Sequence, residues 1–155
     1  MESKRAEFTV QTAEDMRLFG HALGEALFPK AFIAMFGDLG AGKTTLVKGA
    51  AEALGIYDIS SPTFTVVHRH HGRLMLDHFD AYRIEDADEL TAIGFEDHLA
   101  SDSVIIMEWC ENVPEALPEE RLEIHLAGSG ESARRVELSA YGEPYIKLME
   151  AILPC

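Results

Sequence analysis

Long apolar runs are missing from this chain. No stretch approaches the ~20 residues that a membrane-spanning helix needs, so no span and no membrane partner is expected. Cysteine is scarce. Cys110 and Cys155 are the only two, and they share no motif spacing that would announce a disulfide framework. Basic residues are few: 13 Lys and Arg stand against 27 Asp and Glu, a formal net charge of −14. A protein that grips nucleic acid through its overall field needs the opposite balance. The charge suits either a solvated surface or a partner with a basic face. Asparagine occurs once, as Asn112 followed by Val113, so the guanine-reading N-K-x-D motif is absent and a small GTPase is excluded. Met1 to Glu7 lead into no apolar core, so a secretory signal is not expected and the cytoplasm is the fitting compartment. No internal repeat or low-complexity segment stands out.

What is present is ordinary in bulk and specific in detail. The 155 residues, 47% hydrophobic and 26% charged, are most simply one domain spanning 1–155. Gly37-Asp38-Leu39-Gly40-Ala41-Gly42-Lys43-Thr44-Thr45 fits G-x-x-x-x-G-K-[ST], the phosphate-binding loop. The apolar run Ala31 to Phe36 leads in as a buried parallel strand. Leu46, Val47, Ala50, Ala51 and Leu54 lead out on one helix face, and Gly55 is placed to stop that helix. The composition follows from the chemistry. Backbone N–H groups that close around phosphate need small or absent side chains, and the positive end of the helix adds attraction for anions. Lys43 is expected on the β and γ phosphates, Thr44 on Mg²⁺ through its hydroxyl, and Thr45 near the α phosphate. The alternative is a glycine-rich βα turn that binds nothing.

Around this loop the pattern alternates strands and helices. Phe8 to Val10 read as a short strand; Thr12 caps a helix buried through Met16, Phe19, Leu23, Ala26 and Leu27, and Pro29-Lys30 ends it. Ile59 to Thr65 form a hydroxyl-rich connection placed to sense a γ phosphate, or an ordinary turn; a strand from Thr65 to Arg69 follows. His68, His70 and His71 precede Gly72, which favours a hairpin with solvated imidazoles over a metal site. A strand from about Leu74 to Phe79 sets Asp80 at its carboxyl end, where open α/β sheets place ligand chemistry. Asp77 is the rival acid, and odd spacing puts it on the opposite face. Asp86 caps a short helix carrying Leu90 and Ile93, with Gly94 closing it; this acidic region is a solvated surface or a docking face. Val104 to Met107 read as a central strand ending in Glu108, like a Walker B segment with Glu for Asp. Glu108 would orient the attacking water or hold Mg²⁺ through water. Trp109 stacks on a base or fills core. Leu122 to Leu126 and Arg134 to Leu138 form an antiparallel pair around Gly128 to Gly130, and Pro144 opens a last helix. Arg134 or Arg135 reaches nucleotide or partner, with plain surface charge as the alternative.

A phosphate loop does not name a product. A small-molecule kinase is the main competitor to an ATPase, but Arg residues are few and scattered and no lid-sized insertion is available. The ordered set of the phosphate loop, Ser61-Pro62-Thr63-Phe64-Thr65, His78-Phe79-Asp80-Ala81-Tyr82-Arg83, Asp88-Glu89-Leu90 with Gly94, and Glu108-Trp109 resembles the TsaE (YjeE) family over nearly the whole chain. The resemblance implies an α/β phosphate-loop NTPase fold, a mixed sheet flanked by helices. It implies an ATPase needed for N6-threonylcarbamoyladenosine in tRNAs that read codons beginning with A, acting with TsaB and TsaD. TsaD makes the transfer, ATP hydrolysis resets the TsaB–TsaD complex, and tRNA is met only through that complex. Carried onto this sequence, it implies phosphate binding by Asp38 to Thr45, Mg²⁺ on Thr44 with Asp80 and Glu108, nucleotide sensing at Thr63, Trp109 near the nucleotide, and pocket contributions around Gln11 and Arg134. Cys110 departs from the family, where Pro often follows Glu-Trp, and Asp77 stands where an aromatic can stand.

Overall fold

The computed structural model describes residues 1–38, 40–60, 66–128 and 133–154. Its frame is one seven-stranded sheet in the order β1-β7-β6-β2-β5-β4-β3. The strands are β1 Ser3–Val10, β2 Phe32–Phe36, β3 Val67–His70, β4 Leu76–Asp80, β5 Val104–Glu108, β6 Arg121–Ala127 and β7 Arg134–Tyr141. The helices are α1 Ala13–Ala26, α2 Lys43–Ala53, α3 Ala87–Ala92, α4 Phe95–Ala100 and α5 Glu143–Ile152. The four inner strands β6, β2, β5 and β4 run parallel, while β3 and β7 are antiparallel to their inner neighbours. The expected mixed sheet flanked by helices is therefore what forms.

Strand alternation divides the core. Ile33 and Met35 of β2 and Ile106 of β5 face one side, packed with Met16 and Leu23 of α1, Leu46 and Val47 of α2, and Leu148 of α5. Phe32 and Ala34 of β2 and Met107 of β5 face the other, against Leu90 of α3 and Phe95 of α4. The period-two geometry makes this split unavoidable once both faces are covered.

On the first face α1 and α2 come together backbone to backbone. A Cβ on Gly20 would lie 2.1 Å from the Leu46 carbonyl oxygen, and one on Gly49 would lie 2.1 Å from that of Arg17. Only glycine permits that approach. The α1 start is set locally: the Asp15 N–H donates to Thr12 Oγ1 at 3.0 Å, a cap worth about 1 kcal/mol.

Several boundaries differ from the sequence pattern for physical reasons. β1 begins at Ser3, well before Phe8, because it pairs with β7 along its whole length from Ser3↔Tyr141 to Val10↔Arg134. Lys4, Arg5 and Glu7 carry no apolar signal there because this edge strand faces solvent. β4 is displaced towards the carboxyl end and includes Asp80, whose N–H donates to the Val66 carbonyl at 2.7 Å. β3 starts at Val67, and Thr65 lies outside the described residues. α1 stops at Ala26, before Pro29. Ile93 is 40% exposed and follows α3 as its cap, so only Leu90 of that pair is core.

Candidate nucleotide site

β2 ends at Phe36, and the chain turns at once into the loop. The Ala41 N–H donates to the Asp38 carbonyl at 3.1 Å, closing a tight turn over buried Ala41. Gly42, at φ 103°, caps α2 in the left-handed region, a conformation that costs a side chain and costs glycine little. Lys43 is then the first residue of α2. The N–H groups of Lys43, Thr44 and Thr45 have no intrahelical acceptor and carry the positive end of the helix dipole. Thr44 is exposed at this end and Thr45 half-buried.

Lys43 is 5% exposed. Its ammonium donates to the Gly37 carbonyl and sits 3.5 Å from the centroid of the Trp109 ring. Burial holds its pKa below the usual lysine value, opposed by the carboxylates of Glu111, Glu108, Asp80 and Asp38. Trp109 takes φ 62°, a rare backbone for a bulky residue, and its ring is tilted against Tyr82 at 4.9 Å. The Asn112 side-chain amide donates to the carbonyls of Ala81 at 2.9 Å and Tyr82 at 3.1 Å, tying the loop after β5 to the loop after β4. Cys110 is fully buried in that loop and donates from Sγ to the Met107 carbonyl at 3.2 Å. Desolvation pushes its thiol far above the ordinary range, which leaves it a packing residue.

The two candidate acids come together. Asp80 and Glu108 are register partners at the carboxyl ends of β4 and β5, 6% and 4% exposed. Asp80 Oδ1 accepts from the Tyr82 N–H at 2.9 Å. Asp77 falls on the opposite face as its parity requires, fully buried, and is held by Arg69, His98 and Ser103. Arg134 reaches the loop, donating from Nη2 to the Gly40 carbonyl at 3.1 Å. Gln11 is exposed one residue beyond the Val10↔Arg134 pair, on the same flank. Leu39 and Thr63 lie outside the described residues.

Three neighbours received no site role from the sequence, although His78 stands in the quoted segment from His78 to Arg83. His78 puts Nε2 2.5 Å from Glu108 Oε2, inside the sheet. Alternation with Asp80 was the one signal that could have placed it on this face. Glu111 accepts the Gly37 N–H at 3.1 Å, and Asn112 links the two loops; neither carries a pattern. The histidine hairpin forms, but His70 is half-buried rather than solvated, and burial lowers its pKa.

Magnesium takes one or two protein carboxylates, phosphate oxygens and water instead of a full protein cage. Two buried carboxylates in register beside Lys43 and the start of α2 fit that donor set. Among the described residues no group of three or more His, Cys, Asp or Glu is arranged to hold a metal, so phosphate oxygens and water would complete the coordination.

A glycine-rich loop between a central parallel strand and a helix, with a neighbouring strand ending in a buried acid, defines the phosphate-loop class of α/β fold. The family model described as "Threonylcarbamoyl adenosine biosynthesis protein TsaE" matches residues 10–136, and the chain belongs to the TsaE family. It is 40% identical over 126 residues to the Bacillus subtilis (strain 168) protein named tRNA threonylcarbamoyladenosine biosynthesis protein TsaE, covering 80% of this chain and 78% of that one. The Treponema pallidum (strain Nichols) protein of the same name is 35% identical over 130 residues, covering 83% and 96%. The crystal structure of Bacillus subtilis YdiB superposes with a TM-score of 0.84 at 31% identity, over 98% of this chain and 96% of that one.

Proposed function

We propose that this chain is a Mg²⁺-dependent ATPase that serves N6-threonylcarbamoyladenosine formation in tRNA. It acts on a TsaB–TsaD complex, which ATP hydrolysis returns to its active state. The observation that carries the reading is the meeting of Lys43, at the start of α2, with Asp80 and Glu108, at the ends of the adjacent strands β4 and β5, all three buried. The amides of Gly40 to Thr45 and the Lys43 ammonium bind the phosphates, which draw Lys43 from the Gly37 carbonyl and the Trp109 face. Asp38 and Leu39 belong to the same phosphate-binding segment, Thr63 senses the triphosphate, and Trp109, Gln11 and Arg134 flank the nucleotide. Thr44, Asp80 and Glu108 would hold Mg²⁺, which supplies charge neutralisation at the phosphates when bound. Glu108 and Asp80 orient the water that attacks the γ phosphorus. Catalysis is by positioning and electrostatics, without a covalent enzyme intermediate.

A net charge of −14 supports contact with a basic face of a partner and no direct grip on tRNA. The cytoplasm, where tRNA is modified, is the proposed compartment; among the described residues no helix is long and apolar enough to cross a membrane. The deciding experiment is an ATPase assay of the chain alone and with TsaB–TsaD, using wild type, Lys43→Ala, Asp80→Ala and Glu108→Ala. Stimulation by the partners, lost in the variants, is expected. Phosphorylation of a small metabolite in place of ATP hydrolysis would establish the kinase reading.

A further inference from the structure

His78 is a buried titratable group in contact with the site to which the proposed chemistry gives no role. It lies inside β4 at 1% exposure, paired in register with Ile106 of β5 and His68 of β3. Its ring crosses diagonally to the end of β5, where Nε2 stands 2.5 Å from Glu108 Oε2. An ionised carboxylate offers only lone pairs, so Nε2 carries the hydrogen and donates. The other nitrogen, Nδ1, is buried with no hydrogen-bond partner among the described residues. On the β3 side the same face carries His70, whose Nε2 is likewise buried and unpartnered among the described residues. Among the described residues one hydrogen bond, to Glu108, therefore holds the imidazole.

This arrangement is costly as a packing solution. A buried polar atom without a partner destabilises a fold, and a leucine would fill the same space between Leu76 and Asp80 without that penalty. The gain lies at the Glu108 carboxylate, for which the His78 bond is the one hydrogen bond among the described residues. A carboxylate tethered by one oxygen cannot rotate freely about its last torsion. Its second oxygen is thereby restricted in orientation, on a carboxylate whose charge acts on Lys43 and whose register partner is Asp80.

We propose that His78 is a positioning residue for Glu108: its Nε2–H fixes one carboxylate oxygen and so keeps the other aimed at the reacting water. The inference rests on the hydrolytic reading of the site. The step it serves is unchanged in atoms and electrons, since His78 neither gains nor loses a proton in it.

The test is steady-state ATP hydrolysis by the full chain with TsaB–TsaD, for wild type, His78→Leu and His78→Gln, each also made in a Glu108→Ala background. Leucine removes the donor; glutamine returns an N–H near the Nε2 position. With leucine, kcat should fall ~10–100-fold, while KM for ATP stays within about twofold, because binding is not the affected step. Glutamine should restore most of kcat, and neither change should cost anything further without Glu108. An unchanged kcat in His78→Leu overturns the inference, as does an equal loss in the leucine and glutamine variants. If the leucine variant does not fold, the glutamine variant decides: near-wild-type kcat supports the tether, and a loss that persists in the Glu108→Ala background overturns it. Wild type that hydrolyses no ATP under either condition would instead overturn the hydrolytic reading itself.

Discussion

Asp77 and Glu108 are buried acids on neighbouring strands, 0% and 4% exposed, yet their surroundings differ in kind. Asp77 faces α4. Both its oxygens are engaged, by Arg69 at 2.7 and 2.9 Å, His98 at 2.6 Å and Ser103 at 2.6 Å. Although desolvation raises its pKa, these partners outweigh it and lower the value to about 2. Glu108 faces the phosphate loop, and its carboxylate takes one hydrogen bond among the described residues, from His78. A saturated carboxylate is committed to the fold and has nothing left to offer a ligand. A carboxylate that is buried, under-coordinated and close to a lysine at a helix start keeps lone pairs free for chemistry. Burial alone does not separate the two; the partner count does.

The sharpest way to break this contrast is at the loop. Lys43→Ala should lower ATP turnover ~100–1,000-fold, the range for loss of a group that stabilises developing charge, with nucleotide affinity measured beside it. Undiminished binding and turnover would remove the loop from the mechanism. Next come the acids themselves. Glu108→Gln should abolish most hydrolysis while leaving the denaturation midpoint nearly unchanged. Asp77→Ala should do the reverse, costing about 3 kcal/mol by stranding Arg69 and His98, with turnover of the folded fraction retained. Matched losses of stability in both variants would show that the two acids play one role.

Acid titration sharpens the same difference. The folded pKa of Asp77 lies near 2, below its ordinary value of 3.8. Its depressed pKa therefore contributes stability above about pH 4, and that contribution is lost as pH falls towards 2. The contribution is about 2 kcal/mol. In denaturant titrations at pH 5 and pH 2.5, wild type should lose more stability than Asp77→Asn; equal losses would refute the coupling. The smallest effect is expected at Glu111, an exposed acid on the Gly37 N–H. Removing its charge with Glu111→Gln should tighten ATP binding no more than about fivefold, the scale of an exposed charge interaction. A large loss of affinity would make Glu111 a ligand-binding group.

Helix starts were legible because their causes are local. Thr12 and Asp86 each accept a backbone N–H from three residues on, as their positions before amphipathic runs announce. The parity of Asp77 and Asp80 was legible for the same reason, since alternation is a property of any regular strand. β1 was not: five of its residues before Phe8 are there because β7 supplies hydrogen bonds, and backbone pairing leaves no mark on side-chain pattern. The α1–α2 contact was hidden too, because Gly20 and Gly49 are distant in sequence and announce their closeness only when both helices are placed.

By itself, the sequence determined the phosphate loop, the strand and helix on either side of it, and the family. These are short-range features, in which spacing and residue type carry the geometry. Tertiary structure alone decided which groups meet there. Strand order sets β4 beside β5, and register sets Asp80 opposite Glu108 with His78 one step behind. The antiparallel turn of β7 delivers Arg134 to the Gly40 carbonyl, and the left-handed bend at Trp109 lays its ring under Lys43. Each of these depends on register between segments far apart in the chain, which is settled when both faces of the sheet are buried together.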